Sequence, residues 1–286
     1  MDFSEVANVA IEYAANIAKN SDAELVLLHV MGAPTYAEAV SATINGTETL
    51  QSKVTGNDVK LGATCNVVRD EFNIRCHPFV KSDALFIKRG IEEEIEAGNY
   101  DLIVMGSDGA ETLKQLFFGT HSNRLIKKTS VPLLIIPVGY KYKKPTKIVY
   151  ATDYEPEDAI ALRTAISFTN SFEPTITLIH VTDKSKSESA IVLNSLKNLL
   201  EAEMQKPKII FEQIIDKDIV SGINSFMVKD DQDMLVLLSK NYTLPEKLFY
   251  DNLIKEVNNI ATYPLLVIHA PIQKEHIRFI SRNGVF

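Results

Sequence analysis

Residues 2–30 recur at a constant offset of 151 in residues 153–181, and this internal repeat constrains the fold more than any other feature of the chain. Asp2 matches Asp153, Ala14 matches Ala165, and His29-Val30 matches His180-Val181. Farther along the offset becomes 132, so that Gly90 matches Gly222, Asp101 matches Asp233 and Pro132 matches Pro264. The change places 19 additional residues between the second and third strands of the first half. A repeat this long is a duplicated domain, because a solenoid's unit is far shorter. A chain of 286 residues also gives each copy enough length to bury its own core.

Hydrophobic spacing assigns the elements. Val6, Val9, Ala10, Tyr13, Ala14 and Ile17 form one face of a helix that Asp2 or Ser4 caps. AELVLLHV, Ala23 to Val30, reads as a buried strand. Residues 31–70 are polar, interrupted by Gly32, Pro34, Gly46, Gly56 and Gly62, and read as a loop and a helix. Ile74 to Val80 is a predicted strand and Ala84 to Ala97 a predicted helix ending at Gly98. After 140–146, KIVYATD from Lys147 to Asp153 starts the second round with a strand. Strands alternating with helices predict parallel sheets covered by helices on both faces.

The most distinctive stretch runs from Asp101 to Pro137. Leu102 to Met105 suits a strand buried on both faces, and the run stops at Gly106. Gly109 and Gly119 punctuate the loop that follows, Thr120 opens a helical segment carried by residues 123–128, and Pro132 to Ile136 returns as a strand. A strand delivering its end into a glycine-rich loop before a helix N-terminus is a device for holding anions, since backbone N–H groups can approach phosphate oxygens with no Cβ in the way. The spacing is neither the P-loop pattern nor the G-x-G-x-x-G fingerprint.

The spacing Gly106, Gly109, Gly119-Thr120 resembles the nucleotide-binding motif G-x2-G-x9-G-(S/T) of the universal stress protein family, and the resemblance covers nearly the whole chain as a tandem pair. It implies two doubly wound parallel-sheet, Rossmann-like domains of the adenine-nucleotide alpha-hydrolase type: 1–139, a linker 140–146, and 147–271, followed by a tail 272–286. On the family pattern Asp2 contacts the nucleoside and Val30 lies along the adenine. Met105 and Gly106 end the fourth strand, Gly109 begins the phosphate loop, and Gly119 with Thr120 closes on the phosphates, His121 adding a backbone N–H. The implied ligand is ATP, with or without magnesium. Asp108 could hold the magnesium through water or repel the phosphates. The family's final strands pair across a dimer axis, which implies that 133–136 and 265–268 pair within one chain as a pseudo-dimer; a homodimer of whole chains is the other implied assembly.

Two departures from the family pattern follow from the repeat. The family's first strand lies in the middle of a five-stranded sheet, yet only Met1 stands before Asp2 where KIVYAT stands before Asp153. The expectation is an upstream start, a shortened chain, or another segment such as 276–281 taking the place. In the second half, Leu238, Asn241 and Asp251 replace the three glycines and Asn252 replaces Thr120, putting side chains and a negative charge where phosphate would lie.

Composition narrows the partners. A net charge of −7 and a single short basic cluster, Lys141 to Lys144, argue against nucleic acid. No run is long enough to span a bilayer, and Asp2 and Glu5 stand where a signal peptide carries Lys or Arg. Cys65 and Cys76 fit neither a C-x-x-C motif nor a disulfide framework, which suits a reducing cytoplasm. Repeated His29 and His180 read as packed, hydrogen-bonded residues, and no G-x-S-x-G elbow or H-E-x-x-H motif marks a catalytic centre. The leading expectation is an ATP-binding stress-response switch in the N-terminal domain, its loop 107–118, with Phe117 and Phe118, read by a protein partner. Its rivals are a scaffold that binds no nucleotide and a weak ATPase.

Overall fold

A computed structural model of the chain describes residues 1–32, 50–84, 87–107, 131–155, 157–183, 208–239, 253–254, 256–257 and 260–269. The first half contains α1 (Glu5–Ser21), β1 (Glu24–Gly32), α2 (Leu50–Phe72), β2 (Arg75–Ala84), α3 (Ile87–Ala97), β3 (Ile103–Ser107) and β4 (Leu133–Pro137). The second contains β5 (Lys147–Ala151), α4 (Glu157–Thr169), β6 (Thr175–Thr182), β7 (Lys208–Ile215), α5 (Ile219–Lys229), β8 (Met234–Ser239) and β9 (Leu265–His269).

The second half is a parallel sheet in the order β7-β6-β5-β8-β9, with β5 central. Its β9 pairs antiparallel with β4, which pairs in parallel with β3, so one seven-stranded sheet runs through both halves. The junction is symmetric. Leu134 faces Leu266, its own repeat mate, while Leu133 faces Val267 and Ile135 faces Leu265. These strands are apolar throughout because both of their faces are covered: Leu133 to Ile136 and Leu265 to Ile268 are all buried.

The sheet's two faces carry separate cores. On one, Tyr13 and Ile17 of α1 meet Leu134, Ile136, Ile148, Tyr150 and Leu162, so helices from both halves share a single apolar layer. On the other, Leu133, Ile135, Val149 and Leu235 pack under Ile223 and Phe226 of α5. The linker is fastened rather than loose. Tyr13 donates to the Lys143 carbonyl at 2.9 Å and meets Tyr142 edge to face, and Lys143 reaches Asp231 and Asp233 at 3.1 and 2.6 Å.

The first half differs in one respect. Its β1 and β2 form a two-stranded parallel sheet by themselves, with Glu24 opposite Arg75 and Val30 opposite Lys81. At the place between β1 and β3 that β5 holds in the second half, no strand is formed by the described residues. Residues 276–281, named above as one alternative for that place, lie outside the described residues. Asp101 reflects the difference. Its mate Asp233 is buried and accepts from the N–H groups of Thr146 and Lys147, each at 2.8 Å, at the entry to β5, whereas Asp101 is exposed.

Candidate functional site

The carboxyl ends of β1 and β3, with the N-terminus of α1 between them, form the edge that carries Asp2, Val30, Met105 and Gly106, the predicted site residues that are described. Ser4 is the N-cap of α1, its hydroxyl accepting from Ala7 N–H at 3.3 Å. Asp2 stands just outside the cap. Its Oδ1 accepts from the Ser4 hydroxyl at 2.7 Å and from Ser4 N–H at 3.0 Å. Partial burial works against ionisation of Asp2, but the two bonds from Ser4 outweigh it and hold the carboxyl below its usual value. Asp2 is therefore an ionised, exposed acceptor with one oxygen already engaged.

Val30 is buried near the end of β1. Met105 and Gly106 are successive residues of β3, opposite Ile135 and Ile136 of β4, and point to opposite faces of the sheet. The strand continues through Gly106 to Ser107, beyond the stop expected at the glycine. Gly106 has a packing reason of its own. A Cβ there would stand 2.8 and 2.9 Å from the two methyls of Val6 and 3.1 Å from its carbonyl carbon, so the missing side chain is what lets α1 lie against β3. Leu238, at the same position in β8, is buried in the shared core. Gly109, Gly119, Thr120 and His121 lie outside the described residues, as do Asp108, Phe117 and Phe118 and the second-half positions Asn241, Asp251 and Asn252.

The offset of 151 extends to individual hydrogen bonds. Met1 nitrogen donates to the Leu28 carbonyl as Thr152 N–H donates to Ile179 at 2.9 Å. His29 Nδ1 meets the Met1 carbonyl as His180 Nδ1 meets that of Thr152. Phe3 and Tyr154 share a left-handed φ, 63° and 64°, which turns each ring onto its histidine, at centroid distances of 5.3 and 4.4 Å. Both histidines are thus packed, hydrogen-bonded residues. The aromatic partners were not singled out from sequence, although the repeat pairs Phe3 with Tyr154. The first half adds contacts from α2: Asn57 Nδ2 lies 3.1 Å from His29 Nε2, and the Lys60 ammonium stands 5.6 Å from the Phe3 ring centre.

In the second half the start of α4 is tied to β5 by a network of its own. Buried Asp158 accepts from the Tyr150 hydroxyl at 2.8 Å, the Thr152 hydroxyl at 2.6 Å and Glu155 N–H at 3.0 Å. Its first-half mate is Ala7, so this network belongs to the second half alone. Among the described residues no group of three or more His, Cys, Asp or Glu is arranged to hold a metal, and no helix is long and apolar enough to cross a membrane.

Comparison with known proteins agrees with the duplicated architecture. The profile of the Universal stress protein family matches twice, at residues 1–137 and 145–269. Universal stress protein MJ0531 of Methanocaldococcus jannaschii is 27% identical over 147 residues, 51% of this chain and 80% of that protein. MJ0577 of the same organism is 26% identical over 145 residues, 47% of this chain and 90% of that protein. Among solved structures, a universal stress protein from Archaeoglobus fulgidus superposes with a TM-score of 0.70 at 18% identity, covering 95% of this chain and 97% of its own. At that identity the likeness speaks for the fold alone.

Proposed function

The chain belongs to the universal stress protein family, and from that premise we propose that its N-terminal half binds an adenine nucleotide, ATP in the first instance, as the ligand of a stress-response switch. The observation that carries the reading is the glycine series Gly106, Gly109, Gly119-Thr120. It starts at the carboxyl end of β3, beside the helix N-terminus that bears Asp2, which is where open parallel sheets take their ligands. Backbone N–H groups of that loop would hold the phosphates, Asp2 would take the ribose hydroxyls with its free oxygen, and Val30 would lie along the base. Magnesium would supply charge neutralisation at the phosphates. Ordering of the loop on binding changes the surface that a protein partner meets. The second half is the degenerate copy, because Leu238 fills the core at the first glycine position and Asn241 and Asp251 stand in sequence at the other two.

One observation favours the scaffold reading instead. Gly106 is accounted for by its contact with Val6, so the motif's functional weight falls on Gly109 and Gly119. Photo-crosslinking with 8-azido-ATP and peptide mapping separates the two. Adducts within residues 1–137 that excess ATP suppresses support the nucleotide reading. Adducts that ATP suppresses but that are confined to 147–269 overturn the assignment to the first half, and the absence of any adduct that ATP suppresses overturns nucleotide binding in favour of a scaffold.

A further inference from the structure

The chain has two cysteines, and the fold places them side by side. Cys65 lies on the face of α2 that carries Leu61 and Val68, and Cys76 is the second residue of β2, paired with Leu25 of β1. Both are fully buried, and their sulfurs are 3.0 Å apart, with the Cys76 thiol donating to Cys65. That is closer than two sulfurs rest without bonding to one another, and a contraction of about 1 Å would bring them to disulfide length. Cys76 also lies in the wall of a cleft of about 500 Å³ between the end of α1 and the start of β2, lined too by Lys19, Arg69, Arg75 and His77. Arg69 holds the site in place, donating from Nε to the Cys76 carbonyl at 2.9 Å.

We propose that Cys65 and Cys76 are a peroxide-oxidisable pair, converted by hydrogen peroxide into an intramolecular disulfide that fastens α2 to β2. Burial selects the oxidant, since a peptide disulfide is too large to reach the sulfurs while peroxide is close to water in size. The Cys65 sulfur, which accepts the Cys76 S–H, attacks one peroxide oxygen. The O–O bond breaks, and the departing hydroxide leaves as water with the Cys65 proton, giving a sulfenic acid. The Cys76 sulfur then attacks the Cys65 sulfur, the S–O bond breaks, and hydroxide leaves with the Cys76 proton as a second water. Two sulfurs are oxidised and one peroxide is reduced to two waters. Burial first, and then the bond to Cys65, push the Cys76 thiol up to about 12, which fits its part as the second, resolving sulfur.

The test treats the full chain with peroxide, then alkylates it in denaturant and weighs it. The expected product has lost the mass of two hydrogens, takes up none of the two labels the reduced chain accepts, and regains both after dithiothreitol. Closing the short loop between the two positions should also raise the melting temperature by about 5 °C. In Cys76→Ser the reaction should stop at a sulfenic acid on Cys65, which dimedone traps when it is added together with the denaturant that opens the site. Retention of both labels, oxygen located by peptide mapping on Cys65 or Cys76 of the wild-type chain rather than on its six methionines, or a disulfide-linked dimer in place of the internal bond would overturn the proposal.

Discussion

Replacing Gly106 with alanine tests whether the contact between α1 and β3 is as tight as the structure makes it. The new Cβ would meet the Val6 methyls at 2.8 and 2.9 Å and the Val6 carbonyl carbon at 3.1 Å. Carbon atoms rest at about 3.5–4.0 Å, so the helix start has to retreat by roughly 0.5–1 Å. Rotation of Val6 gives little relief, because a valine in a helix has one strongly preferred rotamer and both methyls are involved. Overpacking of this kind costs about 1–3 kcal/mol, and a chain of this size loses roughly 2–4 °C of melting temperature per kcal/mol. The expected fall for Gly106→Ala is therefore about 5 °C. Val6→Ala removes both methyls and carries its own cost, since Val6 is buried. The Gly106→Ala, Val6→Ala pair should therefore be less destabilised than the two single changes added together, by about 1 kcal/mol or more in urea denaturation. Strict additivity, or a Gly106→Ala chain as stable as wild type, would refute the packing argument.

Asp233→Asn should cost about 1–3 kcal/mol in urea unfolding at neutral pH, because two main-chain N–H groups and the Lys143 ammonium lose a charged acceptor. Burial raises the Asp233 carboxyl, but its bonds to Lys143, Lys147 and Thr146 outweigh that and leave it lowered. Its contribution is thus present above the ordinary carboxylate range and fades as pH falls below about 4, a slope Asp233→Asn should lack. Asp101→Asn should change stability by less than about 0.5 kcal/mol, and a cost equal to that of Asp233→Asn would contradict the difference between the two entry positions. Asp158→Ala should destabilise by about 2–3 kcal/mol, since it strips the buried Tyr150 and Thr152 hydroxyls of their acceptor; a loss under 0.5 kcal/mol would count against that network. Burial lowers His269 to about 4, so the unfolded chain binds a proton the folded one refuses. Stability should therefore fall as pH drops from about 6.5 to 4, and His269→Phe should flatten that part of a urea midpoint series.

Much of the fold was legible because the repeat and the strand periodicity are local signals. The face Val6, Ala10, Tyr13, Ala14 and Ile17 is buried as read, and the terminal strands 133–136 and 265–268 meet antiparallel within one sheet. What escaped depends on contacts far apart in sequence. Nothing in the spacing of Cys65 and Cys76 says that a helix and a strand bring their sulfurs together, and the value of Gly106 to α1 is visible only once Val6 lies against it. Asp158 was missed because its mate is Ala7, so the repeat that exposed so much else hid a feature of one half. Of the candidate site, Asp2, Val30, Met105 and Gly106 are placed at the carboxyl edge of β1 and β3.

A single nucleotide site, housed in the first half, is what separates the proposed switch from a scaffold. Calorimetric titration of magnesium ATP into the purified chain, beside Gly109→Val, measures it most directly. One site per chain is expected, abolished by the valine, because a side chain would then stand where backbone N–H groups approach phosphate. Two sites, no binding, or one site indifferent to Gly109→Val would contradict it.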